Sequence, residues 1–400
     1  MTKYVVTLYS INIMYIKRNA EDIVARYLKS NKIVLVLGAR QVGKTTLIKQ
    51  ILKRKDVLYL NLDNESDKQR LISSSSLPPQ DAVKALGGHK IIVIDEAQRL
   101  SETARIVKGW YDAQLPVKII LLGSSSLNLL NQSAEALTGR NEKLFLPPLL
   151  FSEIITNQSW YSDVYSNEKL EKNFAPQLQE LLLQTLVFGM YPETVTTADK
   201  PGYLLNMVSD YLLKDILQIG LVKDPDTIKR LLTLLAYQAG SEVSVNELAN
   251  SLRISRITVD RYLDLLEQTF VIFRLPALST NQRKEISKNN KIYFWDTGIR
   301  NALLGELSLN PLRSDIGILW ENWVAAEFAK ENMLSGMKKK LYFWRSRAGG
   351  EVDLVVKNIE GTIAAYEIKW GAKKITTPRL FKEQYNIQVK LIDRSHLLFI

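Results

Sequence analysis

The chain has 400 residues, of which 46% are hydrophobic and 24% charged, so its composition is that of a folded globular protein of about two or three domains. It contains 53 lysine and arginine residues against 42 aspartate and glutamate residues, and the net charge of +11 favours a polyanionic partner. The absence of cysteine and the presence of two histidines exclude disulfides, thiolate metal sites and histidine-rich metal centres.

The N-terminal segment has the pattern of neither a targeting signal nor a membrane span. No apolar run approaches the roughly 20 residues of a membrane span, and residues 1–13 lack the small-residue cleavage site of a signal peptide. Met14 is an alternative start, which would make residues 1–13 a weakly held extension. We therefore expect a cytoplasmic protein with no membrane partner.

The stretch Lys32–Gln50 contains the clearest motif. Residues 33–37 form an unbroken apolar run, typical of a strand buried on both faces of a parallel sheet. Gly38–Thr45 then follow the Walker A pattern G-x-x-x-x-G-K-S/T, in which the glycines allow a tight loop whose N–H groups surround a phosphate. The predicted nucleotide-binding residues are Gly38, Ala39, Arg40, Gln41, Val42, Gly43, Lys44, Thr45 and Thr46.

Two carboxylates end a second apolar strand, as in the Walker B motif. Lys90–Glu96 runs through four apolar residues into Asp95 and Glu96. We expect Lys44 to contact the β- and γ-phosphates and Thr45 to ligate Mg²⁺. We expect Asp95 to hold the same ion through water and Glu96 to activate the attacking water. The pattern predicts an enzyme that binds ATP or ADP with Mg²⁺ and hydrolyses ATP.

Two further parts of this site are predicted from residues 117–140. Val117–Leu122 is an apolar strand, and Ser124 and Ser125 at its end are alternative contacts to the γ-phosphate. Arg140 is our candidate catalytic arginine finger, which acts on the ATP site of a neighbouring subunit. A solvent-facing arginine without this role explains the same residue equally well.

The middle of the chain contains a second type of pattern. Residues 157–173 are polar with no clear period and predict a domain boundary. Residues 244–275 have the pattern of a winged helix-turn-helix, whose second helix would present Arg256, Thr258 and Arg261 to a DNA groove. In the alternative interpretation, this unit only packs against the ATPase core.

The basic character is concentrated in the last part of the chain. Residues 281–400 contain 20 lysine and arginine residues against 13 aspartate and glutamate residues, which favours DNA as the polyanion. Within this segment, a helix is predicted over Asp315–Glu331, with Glu321 on its apolar face. Strands are predicted over Glu351–Val356 and Thr362–Trp370.

Four charged residues of these elements suggest a second catalytic site. Asp353 and Glu367 on neighbouring strands could share a Mg²⁺ beside a phosphodiester. Lys369 would position the attacking water or counter the developing charge, and Glu321 would add a ligand or a base. An exposed strand face carrying salt bridges is the alternative interpretation.

Nearly the whole chain resembles an archaeal and bacterial family of AAA+ ATPases that joins a P-loop core to a winged helix and a C-terminal domain of uncharacterised function. The resemblance rests on GARQVGKTT, IVIDEAQ, LLGSSSL, LTGR, FGMYPE, YFWDTGIRNALLG, WENWVAAE and the pair RAGGEVDLVV and AYEIKW. The chain departs from the family at Ala39, where proline is usual, and at Met190, where glycine is favoured.

The last pair of segments also resembles the PD-(D/E)XK nucleases, including archaeal Holliday-junction resolvases. This resemblance implies catalytic roles for Glu321, Asp353, Glu367 and Lys369, with Asp353 and Glu367 as metal ligands. No proline precedes Asp353, a departure that the nuclease signature tolerates.

Together these patterns predict an α/β chain in four parts. They are a parallel-sheet AAA+ core at 14–156, a helical region at 174–240, a winged helix at 241–280 and a restriction-endonuclease-like α/β domain at 281–400. The resemblance implies an ATP-driven protein that acts on duplex or branched DNA and assembles into a homo-oligomeric ring. Two alternatives remain: an ATP-gated switch or scaffold that binds protein or operator DNA without cleavage, and a motor whose nuclease-like domain clamps DNA without cutting it.

Overall fold

The computed structural model describes residues 15–123, 137–212, 224–279, 290–371, 374–395 and 397. Among the helices of these segments, none is both long enough and apolar enough to cross a membrane.

The N-terminal part of the chain is built on a parallel five-stranded sheet in the order β2-β3-β4-β1-β5. All five residues of β1 are buried, as its apolar run predicts. β4 lies between β1 and β3, so β4, rather than β2, separates the two motif-bearing strands in the sheet. The strands are β1 (Ile33–Leu37), β2 (Val57–Asn61), β3 (Ile91–Asp95), β4 (Lys118–Gly123) and β5 (Asn141–Phe145).

Helices cover both faces of this sheet. Alternate residues of β1 enter different cores because successive strand side chains point to opposite faces. Val34 and Val36 pack with α1 and α2, whereas Ile33, Leu35 and Leu37 pack with α3, α4 and α5. The helices are α1 (Ala20–Tyr27), α2 (Lys44–Ile51), α3 (Glu65–Ser75), α4 (Pro79–Ala85), α5 (Thr103–Asp112) and α6 (Phe151–Thr156).

The middle region is mainly helical and contains a helix-turn-helix followed by an antiparallel ribbon. Ser244 and Ser255 accept hydrogen bonds from backbone N–H groups at the starts of α12 and α13, and so mark where each helix begins. The ribbon pairs β6 with β7. The elements are α7 (Asn167–Asn173), α8 (Ala175–Phe188), α9 (Pro192–Thr196), α10 (Lys200–Asn206), a π-helical turn (Met207–Leu212), α11 (Pro225–Tyr237), α12 (Val245–Leu252), α13 (Arg256–Gln268), β6 (Ile272–Leu275), β7 (Lys291–Phe294) and α14 (Thr297–Leu304).

The C-terminal domain packs one long helix against a mixed sheet in the order β11-β10-β9-β8. The pairs β8–β9 and β9–β10 are antiparallel, and β10–β11 is parallel. Trp320 and Trp323 of the long helix stack on each other in the core with residues of this sheet. The elements are α15 (Ile316–Leu334), β8 (Lys339–Arg345), β9 (Glu351–Asn358), β10 (Ile363–Ile368), α16 (Arg379–Tyr385) and β11 (Val389–Ile392).

Candidate functional site

The glycine-rich loop joins the end of β1 to the start of α2. Gly43, at φ +90°, precedes Lys44, the first residue of α2. A Cβ at Gly38 would lie 2.2 Å from the carbonyl oxygen of Leu146, the residue after β5. Glycine is therefore required for the loop to pass this backbone. The buried Lys44 ammonium donates to the carbonyl oxygens of Gly38 (3.0 Å) and Ala39 (2.9 Å). The lysine that is predicted to bind phosphate therefore lies folded onto its own loop.

The two predicted magnesium ligands meet at the carboxyl ends of β1 and β3. The Thr45 hydroxyl donates to Asp95 Oδ2 at 2.6 Å. A hydroxyl beside a carboxylate is an oxygen donor set that suits Mg²⁺, so these residues fit the ion that accompanies ATP. Glu96 follows in the left-handed region at φ +51°, and its side chain accepts a hydrogen bond from Gln98 at 2.5 Å.

A cleft of about 260 Å³ opens beside this loop and includes Glu96 in its lining. The P-loop residues Arg40, Gln41, Gly43, Lys44, Thr45 and Thr46 form one side. The other lining residues were not predicted from the sequence as part of the site, because they come from separate segments. They include Tyr15, Ile16, Leu149, Pro192, Glu193 and Thr196.

A buried arginine ties the loop to the rest of the domain. Arg18 is 4% exposed, and its Nε lies 3.0 Å from Glu153 Oε2. Its other nitrogens donate to the carbonyl oxygens of Val42 (2.9 Å) and Pro147 (2.8 Å). Arg18 was missed at the sequence level because its partners are far away in the chain and no local motif marks it.

Arg140, the predicted arginine finger, does not line this cleft. Ser124 and Ser125 lie outside the described residues. Arg140 lies at the amino end of β5, where its carbonyl accepts from the Ile33 N–H at 2.9 Å, and the P-loop follows the opposite end of β1. Its guanidinium pairs with Asp112 at 2.7 Å. A role for Arg140 in a neighbouring subunit stays a prediction.

The predicted DNA-contacting residues lie on α13. Arg256 and Arg261 are exposed, and Thr258 is half-buried with its hydroxyl 2.8 Å from that of Ser255. Ile257, in the first turn of the same helix, is 73% exposed. DNA contact by this surface stays a prediction.

A cluster of charged residues lies at the junction of β7, α15 and the C-terminal sheet. Glu321 Oε1 accepts from Lys291 Nζ (3.0 Å) and from the Tyr293 hydroxyl (2.8 Å). Lys291 Nζ also lies 2.7 Å from Glu351 Oε1 and 3.8 Å from Asp353 Oδ1. We call the four carboxylates of Glu321, Glu351, Asp353 and Glu367 the acidic cluster.

Lys369 pairs with the other end of the acidic cluster. Its ammonium lies 2.7 Å from Glu367 Oε1 and 3.3 Å from Asp353 Oδ2. Asp353 Oδ2 also accepts from the Ile368 backbone N–H at 2.8 Å. Glu367 and Lys369 thus lie on one side of the strand, which is the arrangement expected from their spacing of two residues.

Burial and charge act in opposite directions on the titration of this cluster. Burial raises the pKa of Glu321, and the Lys291 ammonium partly offsets that shift. Burial alone would lower the pKa of Lys291, but the neighbouring charges of Glu321 and Glu351 outweigh it, and the pKa is raised. Both shifts follow from a buried, mutually dependent ion-pair network.

The arrangement does not fit a bound metal ion. Within the described part of the chain, no three histidine, aspartate or glutamate side chains are grouped as metal ligands. The structure brings together Glu321, Asp353, Glu367 and Lys369, but the carboxylates of Glu321, Glu351 and Asp353 face Lys291. Lys291 and Glu351 were not predicted as part of this cluster, because the sequence shows each of them only as a charge at the start of an apolar strand.

A comparison with known protein families identifies the part of the chain that holds the first site. The family model described as "AAA domain" matches residues 30–155, which include the P-loop, Asp95 and Glu96. We refer to residues 30–155 as the AAA domain because of this similarity. Two models described as domains of unknown function match the regions that follow this AAA domain: DUF8612 at residues 179–310 and DUF4143 at residues 316–397.

Two uncharacterized proteins are similar in sequence to this chain over most of their length. The chain is 29% identical over 381 residues to the uncharacterized protein Rv2008c of Mycobacterium tuberculosis, covering 94% of this chain and 78% of that protein. It is 26% identical over 409 residues to the uncharacterized protein MJ1544 of Methanocaldococcus jannaschii, covering 92% and 87%.

Solved structures resemble the fold more distantly. The Walker-type ATPase PABY2304 of Pyrococcus abyssi aligns with a TM-score of 0.47 at 16% identity, covering 72% of this chain and 96% of that one. A protein with a tetratricopeptide repeat sensor, PH0952 of Pyrococcus horikoshii, aligns with a TM-score of 0.31 at 14% identity, covering 79% and 45%. Because both scores lie below 0.5, neither structure assigns an activity or a partner to the AAA domain of this chain.

Proposed function

We propose that this chain binds ATP with Mg²⁺ in the cleft of its AAA domain, hydrolyses it, and uses the cycle to act on DNA. The observation that carries the first part is the 2.6 Å hydrogen bond between Thr45 and Asp95, beside Lys44 on a cleft that Glu96 also lines. All four groups have the chemistry that phosphoryl transfer requires.

Each residue has a distinct role in this proposal. Lys44 exchanges its two carbonyl acceptors for β- and γ-phosphate oxygens when the nucleotide enters. Thr45 and Asp95 would hold Mg²⁺, Asp95 through water, and the bound ion would neutralise charge on the phosphates. Glu96 accepts a proton from the attacking water, and its hydrogen bond with Gln98 orients the carboxylate.

The ATPase proposal is tested with two substitutions and a control. We expect Lys44→Ala to abolish nucleotide binding, and Glu96→Gln to keep binding while turnover falls by about 100-fold or more, because a general base typically contributes that much. The control is Glu360→Gln, an exposed glutamate in a distant turn, which should not change turnover. Phosphate release and fluorescent-nucleotide binding are the measurements, and unchanged turnover in Lys44→Ala and Glu96→Gln contradicts the proposal.

The DNA part of the proposal is supported by charge and shape. The chain carries a net charge of +11, and α13 follows a turn and presents exposed arginines at Arg256 and Arg261. We propose that this helix contacts duplex or branched DNA, and that the working form is a homo-oligomeric ring in which Arg140 completes a neighbour's ATP site.

Salt-dependent binding tests the DNA contact. Affinity for duplex and four-way DNA should fall linearly with salt on logarithmic axes, and Arg256→Ala with Arg261→Ala should reduce the magnitude of that slope by about 2 if both contact phosphates. Arg70→Ala with Arg105→Ala, which removes two exposed arginines of the AAA domain, is the matched control. Binding that does not depend on salt, or an equal effect of both pairs, contradicts the assignment.

A second candidate function is an ATP-gated switch or scaffold that binds DNA or protein and does not cut. The lysine within the acidic cluster favours it, because Lys291 stands among the carboxylates that a nuclease would use for metal. A nuclease assay with Mg²⁺ or Mn²⁺ tests this function against a C-terminal domain that cuts DNA. Cleavage that is present in the wild type and lost in Asp353→Ala excludes the switch-only function.

A further inference from the structure

Lys291 joins the middle region to the carboxylates of the C-terminal domain. It is the first residue of β7, in the ribbon that follows the helix-turn-helix, and it is 4% exposed. Its ammonium contacts Glu321 on α15 and Glu351 on β9, and it faces Asp353 on β9. One cation from one region therefore faces three carboxylates that belong to another.

The surroundings leave this ammonium little freedom. Its Nζ lies 5.7 Å from the centre of the Phe343 ring, in the range of a cation–π interaction. Gly240 donates its N–H to the Ile292 carbonyl at 2.9 Å, and a Cβ at Gly240 would lie 3.3 Å from Glu321 Oε1. The backbone next to Lys291 is thus hydrogen-bonded to Gly240, which itself lies close to the Glu321 carboxylate.

Lys291 Nζ lies between carboxylate oxygens that a metal ion would need as ligands. It lies 2.7 Å from Glu351 Oε1 and 3.0 Å from Glu321 Oε1, so the ammonium already pairs with both oxygens. An ion such as Mg²⁺ binds carboxylate oxygens at about 2.0–2.1 Å and demands nearly octahedral geometry. The ammonium and the ion cannot be accommodated together between the same oxygens.

We propose that Lys291 is a built-in cation that closes the acidic cluster of the C-terminal domain to divalent metal ions. The inference concerns a different site from the ATP cleft and does not depend on hydrolysis. Removal of the ammonium leaves carboxylates without their cation, so a divalent ion then becomes the favourable partner. Withdrawal of β7 from the C-terminal sheet would have the same effect.

The test measures Mn²⁺ binding to the full chain by calorimetry and by paramagnetic resonance. The parent protein in this test is the full chain with Asp95→Asn, and every variant carries the same substitution. The AAA domain then contributes no Asp95 carboxylate at its predicted magnesium position. We expect Lys291→Met to gain one Mn²⁺-binding event at least 10-fold tighter than any in the parent. Lys340→Met, an exposed lysine on the neighbouring β8, is the matched control and should gain nothing.

A second variant separates position from charge. Lys291→Met with Glu351→Gln removes one ammonium and one carboxylate, so the formal charge of the cluster is the same as in the parent. We expect this variant to gain the Mn²⁺ site as well, and it also serves if Lys291→Met alone fails to fold in circular dichroism. No gain of Mn²⁺ binding in a folded variant overturns the proposal.

A substitution in the parent protein, with Lys291 present, provides an independent test. If Lys291 closes the cluster, Asp353→Asn in the parent should leave Mn²⁺ binding unchanged, because no ion is bound there. Loss of a Mn²⁺-binding event in Asp353→Asn shows that the cluster holds metal with the lysine present, and it overturns the proposal. Neither result depends on whether the chain hydrolyses ATP or binds DNA.

Discussion

Gly189 lies at a point where two distant segments interlock. It has φ +73° and ψ −166°, a conformation that is almost exclusive to glycine. A Cβ at this position would lie 1.8 Å from Asp296 Oδ1. The buried Asp296 carboxylate accepts the Met190 N–H at 2.6 Å and the Gly298 N–H at 2.9 Å. One aspartate thus caps α14 and holds the segment that leads to Pro192 in the nucleotide cleft.

A pair of alanine substitutions isolates this interlock. Gly305→Ala places a Cβ in open space at φ +72° and should cost about 1–2 kcal/mol of unfolding free energy, the usual cost of a left-handed alanine. Gly189→Ala adds a clash with Asp296 to its backbone strain and should exceed about 3 kcal/mol. Urea unfolding midpoints provide the comparison, and equal midpoints for the two variants contradict the interlock.

Functional residues could be predicted from the sequence where they belong to a short continuous motif. Lys44, Thr45, Asp95 and Glu96 follow strands in fixed patterns, so their meeting at one sheet edge could be expected from the order of elements. Lys291 could not be predicted, because its partners lie at least 30 residues away on elements whose relative placement depends on tertiary packing. Arg18 is hidden in the same way, since Glu153 lies 135 residues further along.

At the scale of elements, a helix of the middle region contacts the P-loop directly. The Tyr203 hydroxyl on α10 donates to Gln41 Oε1 at 2.7 Å. Gln41 has φ +64°, an unfavourable conformation for a residue other than glycine, so outside contacts help to keep the loop in this form. The helix therefore helps to preorganise the phosphate-binding loop.

Tyr203→Phe tests that contact with a change of one atom. The loss of one hydrogen bond, worth about 0.5–1.5 kcal/mol, should weaken nucleotide binding by about 2- to 12-fold. Tyr237→Phe, at a tyrosine that is 66% exposed, is the matched control. Titration with a fluorescent ATP analogue gives both affinities, and an unchanged affinity in Tyr203→Phe shows that the loop keeps its form without this helix.

The types of most elements followed from sequence periodicity, but their arrangement did not. The apolar runs predicted β1, β3 and β4, and the helix-turn-helix pattern of residues 244–275 predicted α12 and α13. The insertion of β4 between β1 and β3 could not be read from the chain, because strand order depends on how the connecting helices cross the sheet. The short helix α9 was missed, since five residues give no measurable period.

At the scale of the whole molecule, a group of charges joins the middle region to the C-terminal domain. Arg300 of α14 lies 2.5 Å from Asp315 at the start of α15, and its Nε donates to the Ala236 carbonyl of α11 at 2.9 Å. Arg313 also contacts Asp315 at 2.5 Å. The Asp315 carboxylate therefore links the start of α15 to α14, and Arg300 in turn links α14 to α11.

The pH dependence of stability tests this connection. Partial burial would raise the pKa of Asp315, but hydrogen bonds from Arg313 and Arg300 outweigh it, and the pKa falls below its ordinary value of 3.8. The unfolded chain then binds more protons in this range, so Asp315 stabilises the fold above pH 3.8 and loses that effect as the pH falls through the folded pKa. Asp315→Asn should lower the free energy of unfolding at pH 7 and flatten its fall in acid.

Thermal unfolding between neutral pH and pH 2.5 measures both effects. Leu312→Ala, at an 88% exposed side chain in the same connection, controls for any change in this segment and should keep the wild-type slope. If the curves of Asp315→Asn and the wild type run parallel down to the lowest pH, Asp315 does not titrate differently in the folded chain.

The order of residues along the chain has a consequence for biosynthesis. Lys291 precedes all four members of the acidic cluster, and both strands of its ribbon are complete by Phe294. A ribosome therefore adds Lys291 before it adds Glu321, Glu351, Asp353 or Glu367, and regions near the N-terminus generally fold first. Lys291, the counter-charge of these carboxylates, has therefore already been synthesised when each of them is added. The new domain therefore does not pass through a stage in which its acidic residues have been made and their lysine has not.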